Sequence, residues 1–539
     1  MARHLTSAAA CLALALLAIE GQAAAPASTP AHVPASVPAR AGPAAPAPVA
    51  SALASTRTTT ATSPAHHPLE GRWLAHAGPP DNQATLGLEF TRDADGDWMA
   101  YATTDLANAW RQPAGPVAQG DQDGEFTLAG GQVKLTLAGD RTLHATGFLH
   151  DPAESVTLQH VATIPAAPRA VAWPKPPAPA WAVRTGGAIF APVAVDDDTA
   201  YVGNVDGVFA ARRLADGAVR WTFAPGHAFL GEALVDGDGV LVACDDGFLY
   251  RLDKATGKVQ WRHDLGDGAV ARVLPDPAVS DYDTMAPRPL RAGDLVIIGS
   301  RDGSVHAVKA ADGELAWRVA LEDAGAVRTS AVALDADVVV TTKRGAVVRL
   351  AQKDGALAWR FDAQAEIASP PALVAGRVIV GTRDSRLLAL DAATGQPAWS
   401  QYWWGAWVES AAVARGPLAY IGSGDLQRVS AIDAATGHNV WRTEVGGWVM
   451  QRPAVGESTI VVGVSGAHRN GTFWATQQGG VVALDRATGK MKWGFALPDA
   501  GSLFLHGAYA APVMAKGAGG KGLVVVGGLD GALYAWPTE

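Results

Sequence analysis

From about Ala180 to the C-terminus, short apolar runs alternate with short polar stretches in a pattern that keeps returning. One unit begins at Ser369: a small-residue run "SPPALV", an apolar run "RVIVGT", a tight "RDS", a second apolar run "RLLALD", a polar turn, and a last run ending at Trp399. Runs this short, rich in Val, Ile and Leu and bounded by Gly, Asp and Ser, predict strands. The polar turn is the most regular part. "RLDKATGKVQW", "ALDAATGQPAW", "AIDAATGHNVW" and "ALDRATGKMKW" end at Trp261, Trp399, Trp441 and Trp493, and looser copies end at Trp221, Trp317 and Trp359. Asp-x-x-Thr-Gly is turn chemistry, since Asp or Thr can bond its own backbone and Gly supplies the residue with φ > 0.

Including Trp181, the tryptophans are separated by 40, 40, 56, 42, 40, 42 and 52 residues. A repeat of about 40 to 45 residues with four strands per unit is the signature of a β-propeller, one blade per repeat. The fold class is therefore all-β, with eight blades over residues 179–539. The final unit stops after its third strand, and the stretch around Trp181 can supply the fourth, closing the ring without leaving unpaired edges. Each outer-strand Trp is expected to pack on the neighbouring blade as a structural docking residue.

"Asp-x-x-Thr-Gly-x-x-x-Trp", preceded by strands such as "IIGSRDGSVHAV", resembles the pyrroloquinoline quinone (PQQ)-like repeat, or tryptophan-docking motif. That repeat is shared by quinoprotein dehydrogenases and by the BamB-type outer-membrane assembly lipoproteins. The resemblance implies the propeller fold; one fold hosts unrelated activities, so function needs separate argument.

Upstream the pattern changes. Residues 69–163 carry seven alternating runs, from "GRWLAHA" to "SVTLQHV", and predict a small antiparallel β-barrel or sandwich. Gly71-x-Trp73 resembles the opening of lipocalin-like barrels. Residues 164–178 are Pro-rich and read as a linker to the propeller. Residues 24–68 are Ala, Pro, Ser and Thr with almost no large apolar side chain, and are expected to be a disordered spacer. Residues 1–23 have a weakly basic start, an apolar centre and Gly21-x-Ala23, and read as a signal peptide cleaved after Ala23. Cys11 precedes most of the apolar run, which departs from a lipoprotein signal. The expected location is periplasmic or secreted, with no transmembrane segment after cleavage. A net charge of -9 and the lack of Lys/Arg runs argue against nucleic acid. Cys244 would be the one cysteine left after cleavage, and reads as a buried small hydrophobe. "DADGDW" and "DGDG" lack the full spacing of a calcium loop and read as hairpin turns.

Propeller strands run innermost first, so the small-residue run of each unit should line the central channel. Aligning the units places Arg328, Glu409 and Gln451 at one level, and the next two positions add Glu232, Arg288 and Arg452. Loops after strands two and four emerge on one face, and the long loops all belong to it. That face carries Tyr402, Trp403, Trp404, Trp407, Trp448 and Trp474, which read as aromatic anchors for a protein or peptide partner above the channel charges. The resemblance offers two classes of function. BamB-type proteins imply a non-catalytic, monomeric, cofactor-free binding propeller. Quinoprotein dehydrogenases imply PQQ with calcium, but their adjacent cysteines and their Glu, Asn and Asp metal ligands have no match here. Binding is the favoured expectation.

Overall fold

The structure, a computed structural model, describes residues 67–538 apart from positions 79, 105–108, 148–154, 166–170, 270–272, 276–281, 323–324, 404–405, 468–476, 500, 502–503 and 518–521. The expected signal peptide, Cys11 and nearly all of the 24–68 spacer lie outside the described residues, as do Trp404 and Trp474. No helix among the described residues is long and apolar enough to cross a membrane.

Eight sheets form the propeller. Blades 1 to 7 occupy residues 194–223, 234–264, 290–320, 332–362, 372–402, 413–444 and 454–496. Each pairs its strands in chain order, innermost to outermost. Blade 8 takes three strands from residues 513–537, and Trp181–Arg184 adds as the fourth by pairing antiparallel with the strand that ends the chain, as the sequence predicts. The second and third strands of each blade are buried on both faces, which is why they read as unbroken apolar runs.

The docking tryptophans answer to a specific partner. Trp221 Nε1 donates to Lys254 O at 2.9 Å, Trp261 to Ala310 O at 3.1 Å and Trp399 to Ala434 O at 2.9 Å. Trp181, Trp317, Trp359 and Trp441 repeat the bond. In every case the acceptor belongs to the polar turn of the next blade. The turn glycine of that blade lies on the indole: a Cβ on Gly257, Gly313 or Gly437 would come 2.5, 2.6 or 2.7 Å from the ring of Trp221, Trp261 or Trp399. The motif glycine therefore meets two demands, a φ near +70° and the absence of a side chain under the preceding blade's tryptophan. Trp493 is buried beside Trp536 at the blade 7 to blade 8 seam.

The N-terminal unit is one nine-stranded antiparallel sheet, nearly closed into a barrel; with the strands counted along the chain from Gly71–Ala77 to Ser155–Val161, their order is 4-3-2-1-9-8-7-6-5. Two strands escaped the sequence reading, Ala109–Pro116 and Ala118–Gln119. They are the two ends of the sheet, and the longer one contains Pro113 and Pro116 with register shifts opposite Ala100 to Thr104. Proline is tolerated there because an edge strand needs no full ladder, and it erases the alternation by which a strand is recognised. "DADGD" is a hairpin turn, with Asp93 Oδ1 accepting from the Asp95 and Asp97 N–H groups at 3.0 and 2.9 Å.

The unit is not left on a free tether. Its short 3-10 turn Pro80–Asn82 sits on the rim of blades 5 and 6: Asn82 Nδ2 donates to Tyr402 O at 2.7 Å, and Asn439 N donates to Asp81 Oδ2 at 3.0 Å. Part of the Pro-rich segment is docked as well. Trp173 Nε1 donates to Val445 O at 3.0 Å, and the indole lies on Gly494, where a Cβ would come 2.5 Å from the ring.

Candidate functional site

The innermost strands converge on the channel, and the segment after blade 2 crosses its end on the long-loop face. Thr284 Oγ1 is 2.7 Å from the Tyr509 hydroxyl just before blade 8, Gln451 Nε2 just before blade 7 is 3.6 Å from Met285 Sδ, and Arg383 Nη2 donates to Tyr282 O at 3.4 Å. Tyr282 and Trp407 lie 6.0 Å apart, and the Arg383 guanidinium sits 4.5 Å from the Trp407 ring centre. Burial pushes the Tyr282 and Tyr509 phenols well up, so both stay neutral hydrogen-bonding groups.

A chain of charges locks this closure. Arg301 pairs with Asp283, Arg328 with Glu366, and Arg383 bridges Glu366 at 3.0 Å and Glu409 at 2.8 Å. Arg328 and Glu409 are each 1% exposed, so their charges are balanced by Glu366 and by Arg383 and not by water. Removal from water, then the nearby Glu409 carboxylate, push the Asp425 carboxyl up to about 7.

Beneath Thr284 and Met285 lies a chamber of about 460 Å³. Glu232, Arg288, Arg328, Gln451 and Arg452 line it, among small and apolar residues of the innermost strands. Glu232 accepts from Arg452 Nη2 at 2.8 Å and lies 3.6 Å from Arg288 Nε. The chamber continues past Val332, Leu373 and Val413, in the innermost strands Val332–Leu334, Ala372–Val374 and Val413–Arg415, which run toward the face of the short Asp-x-x-Thr-Gly turns.

The structure thus divides what the sequence reading had grouped. Five of the six channel residues line one chamber, but Glu409 is buried against Arg383 within the closure. The chamber also faces away from the long loops expected to sit above it. The aromatic face is largely packed inward: Trp403 is 3% exposed with Nε1 bonded to Gln401 Oε1 at 2.6 Å, Trp448 is 8% exposed, and Tyr402 and Trp407 are half-buried. Trp403 belongs to the apolar cluster at the blade 5 and 6 rim where the N-terminal unit docks, so the run "YWWGAW" serves packing at the residues that are described. Tyr282, Arg383 and Tyr509, which build the closure, escaped sequence reading. Arg383 stands in a short turn that looks like every other, and only its burial sets it apart.

A family model described as outer membrane protein assembly factor BamB matches residues 159–305, 301–426 and 404–538. The chain belongs to that family. BamB of Burkholderia pseudomallei (strain K96243) is 29% identical over 112 residues, which make up 21% of this chain and 29% of that protein. The quinohemoprotein alcohol dehydrogenase of Comamonas testosteroni is 27% identical over 164 residues, 26% of this chain and 23% of the enzyme. The chain therefore spans less than a third of the length of either relative. Among solved structures, that of the Comamonas testosteroni enzyme superposes with a TM-score of 0.50 at 15% identity, covering 67% of this chain and 76% of the enzyme. Saccharomyces cerevisiae Sqt1 gives 0.52 at 12% identity, covering 66% of this chain and 98% of Sqt1. Likenesses this remote establish the propeller alone, so within the BamB-type family the site must speak through its own residues.

Proposed function

We propose that the protein is an exported, non-catalytic and monomeric propeller that binds a protein or peptide partner in the periplasm, in a scaffold or assembly role of the kind named for its family. The observation that carries this reading is the closed channel: its long-loop end is filled by Tyr282, Met285 and the Arg383 ion pairs, all from the chain itself. The alternative, a quinoprotein dehydrogenase with PQQ and calcium, asks for a different donor set. Calcium takes six to eight oxygen ligands, yet the chamber offers Glu232 already held by two arginines, and no group of three or more His, Cys, Asp or Glu side chains among the described residues could hold a metal. Cys244 is buried in blade 2, and no second cysteine falls among the described residues. The residues present do not fit that cofactor pair.

A pull-down from periplasmic extract with the mature chain, read by mass spectrometry, should recover a protein partner in stoichiometric amount. Incubation with PQQ and calcium, followed by a dye-linked assay over alcohols and sugars, should give no turnover. Stoichiometric PQQ binding with substrate-dependent dye reduction would overturn the reading. Export has its own check, because intact-mass measurement should find a chain beginning at Ala24. A chain still beginning at Met1, or a lipid on Cys11, contradicts that part.

A further inference from the structure

The chamber under the Thr284–Met285 roof is charged in one sense. Two guanidinium groups face a single carboxylate, so the Arg288–Glu232–Arg452 group carries one uncompensated positive charge. Glu232 is nearly enclosed at 12% side-chain exposure, while Arg288 and Arg452 keep 37% and 34%. Among the described residues, Arg288 spends only its Nε, on Glu232 and on Ala233 O at 3.4 Å, and Arg452 only its Nη2, on Glu232. The other guanidinium N–H groups are left for whatever enters. Arg328 closes the upper wall. Its charge is balanced by Glu366 and by Asp283, 3.8 Å from Nη1, while its Nε and Nη1 make no hydrogen bond there.

The remaining wall narrows the choice of ligand. Pro192, Pro370 and Pro371 have no backbone N–H to offer, and the alanines between them are small. An anion entering the chamber finds its partly exposed charged donors in Arg288 and Arg452, at 37% and 34% side-chain exposure against 1% for Arg328, while an apolar body attached to it meets an apolar wall. A metal cation would face two guanidiniums for one carboxylate. The planar fork of arginine matches a carboxylate in bidentate fashion, and a space of this size is within the range of pockets that enclose a small ligand.

We propose that this chamber is a carboxylate-binding site entered from the short-turn face, with Arg288 and Arg452 as the binding residues and Glu232 as the group that positions them. The carboxylate has two sources, a free small dicarboxylic acid or the end of a peptide chain, and one titration separates them. The inference does not depend on a protein partner, since a small acid would use the same donors.

The full-length protein is titrated calorimetrically with succinate, with acetyl-trialanine as its free acid, and with the same peptide as its amide. Saturable binding of succinate or of the free acid, with none for the amide, is the expected result, and which of the two binds names the source. Arg452→Met and Arg288→Met should each weaken it by about tenfold or more, the loss that accompanies a charged hydrogen bond. Ala414→Trp narrows the exposed mouth without touching a charge, and should also block binding while leaving the circular dichroism spectrum and melting temperature unchanged. It keeps the test open if an arginine variant misfolds. Absence of saturable binding of both acids at millimolar concentration overturns the proposal, as does equal affinity for acid and amide, or affinity unchanged in Ala414→Trp and in a folded arginine variant.

Discussion

Trp261→Ala is expected to destabilise the propeller by about 3 to 5 kcal/mol, the range for truncating a buried large aromatic side chain. The indole is 9% exposed, lies in an apolar cluster shared by blades 2 and 3 with Leu249, Val296 and Val308, and gives its N–H to Ala310 O across the seam. Truncation removes the contact area and leaves the Ala310 carbonyl of the neighbouring turn without its donor. Gly313→Ala tests the same seam from the other side. Its φ of +76° already disfavours a side chain, and the added Cβ would meet Trp261 at 2.6 Å, so a loss of about 1 to 3 kcal/mol is expected from overpacking at that one contact. Urea unfolding followed by tryptophan fluorescence and far-ultraviolet circular dichroism measures both. A Trp261→Ala midpoint equal to that of the wild type would show that the seam is held by something else.

Arg383→Met should cost a similar amount, about 3 to 5 kcal/mol, for an electrostatic reason. The guanidinium is 10% exposed and stands between Glu366 and Glu409, and Glu409 at 1% exposure has no access to solvent in its place. Methionine keeps much of the volume against Trp407 and Tyr282 but strands a buried carboxylate. The decisive comparison is therefore the double variant Arg383→Met, Glu409→Gln, which removes the uncompensated charge. It should be more stable than Arg383→Met alone. Additive losses in the double variant, or a single variant as stable as the wild type, would mean that the ion pairs at the long-loop end do not hold the closure.

Fold and site differ in how much of each was written in the chain. The eight-bladed ring was legible because its determinants are local and repeated: Asp-x-x-Thr-Gly fixes a turn through bonds within five residues, alternating runs fix strands, and Trp recurs at a steady distance from both. The closing strand at Trp181 was legible for the same reason, as the piece missing from the last repeat. The short-range pattern could not say which glycine meets which indole. Gly395 stands four residues before Trp399 yet lies against Trp359 of the preceding blade.

The chamber was legible in part. Alignment of the repeats brought Glu232, Arg288, Arg328, Gln451 and Arg452 to the channel, because position in a repeat sets distance from the axis. Their burial, their pairing and the side from which they are reached depend on a loop that returns across the ring: Arg383 meets Tyr282 at a separation of 101 residues. No periodicity encodes such a contact. For the same reason "YWWGAW" reads identically as an exposed anchor or as core, and its Trp403 is packed in the cluster shared by the N-terminal unit and blades 5 and 6. The sequence by itself determined the blades and their number, since these follow from turn chemistry and repetition. Only the tertiary structure decided which end of the channel is closed and which tryptophans are buried, since both depend on packing between segments far apart in the chain.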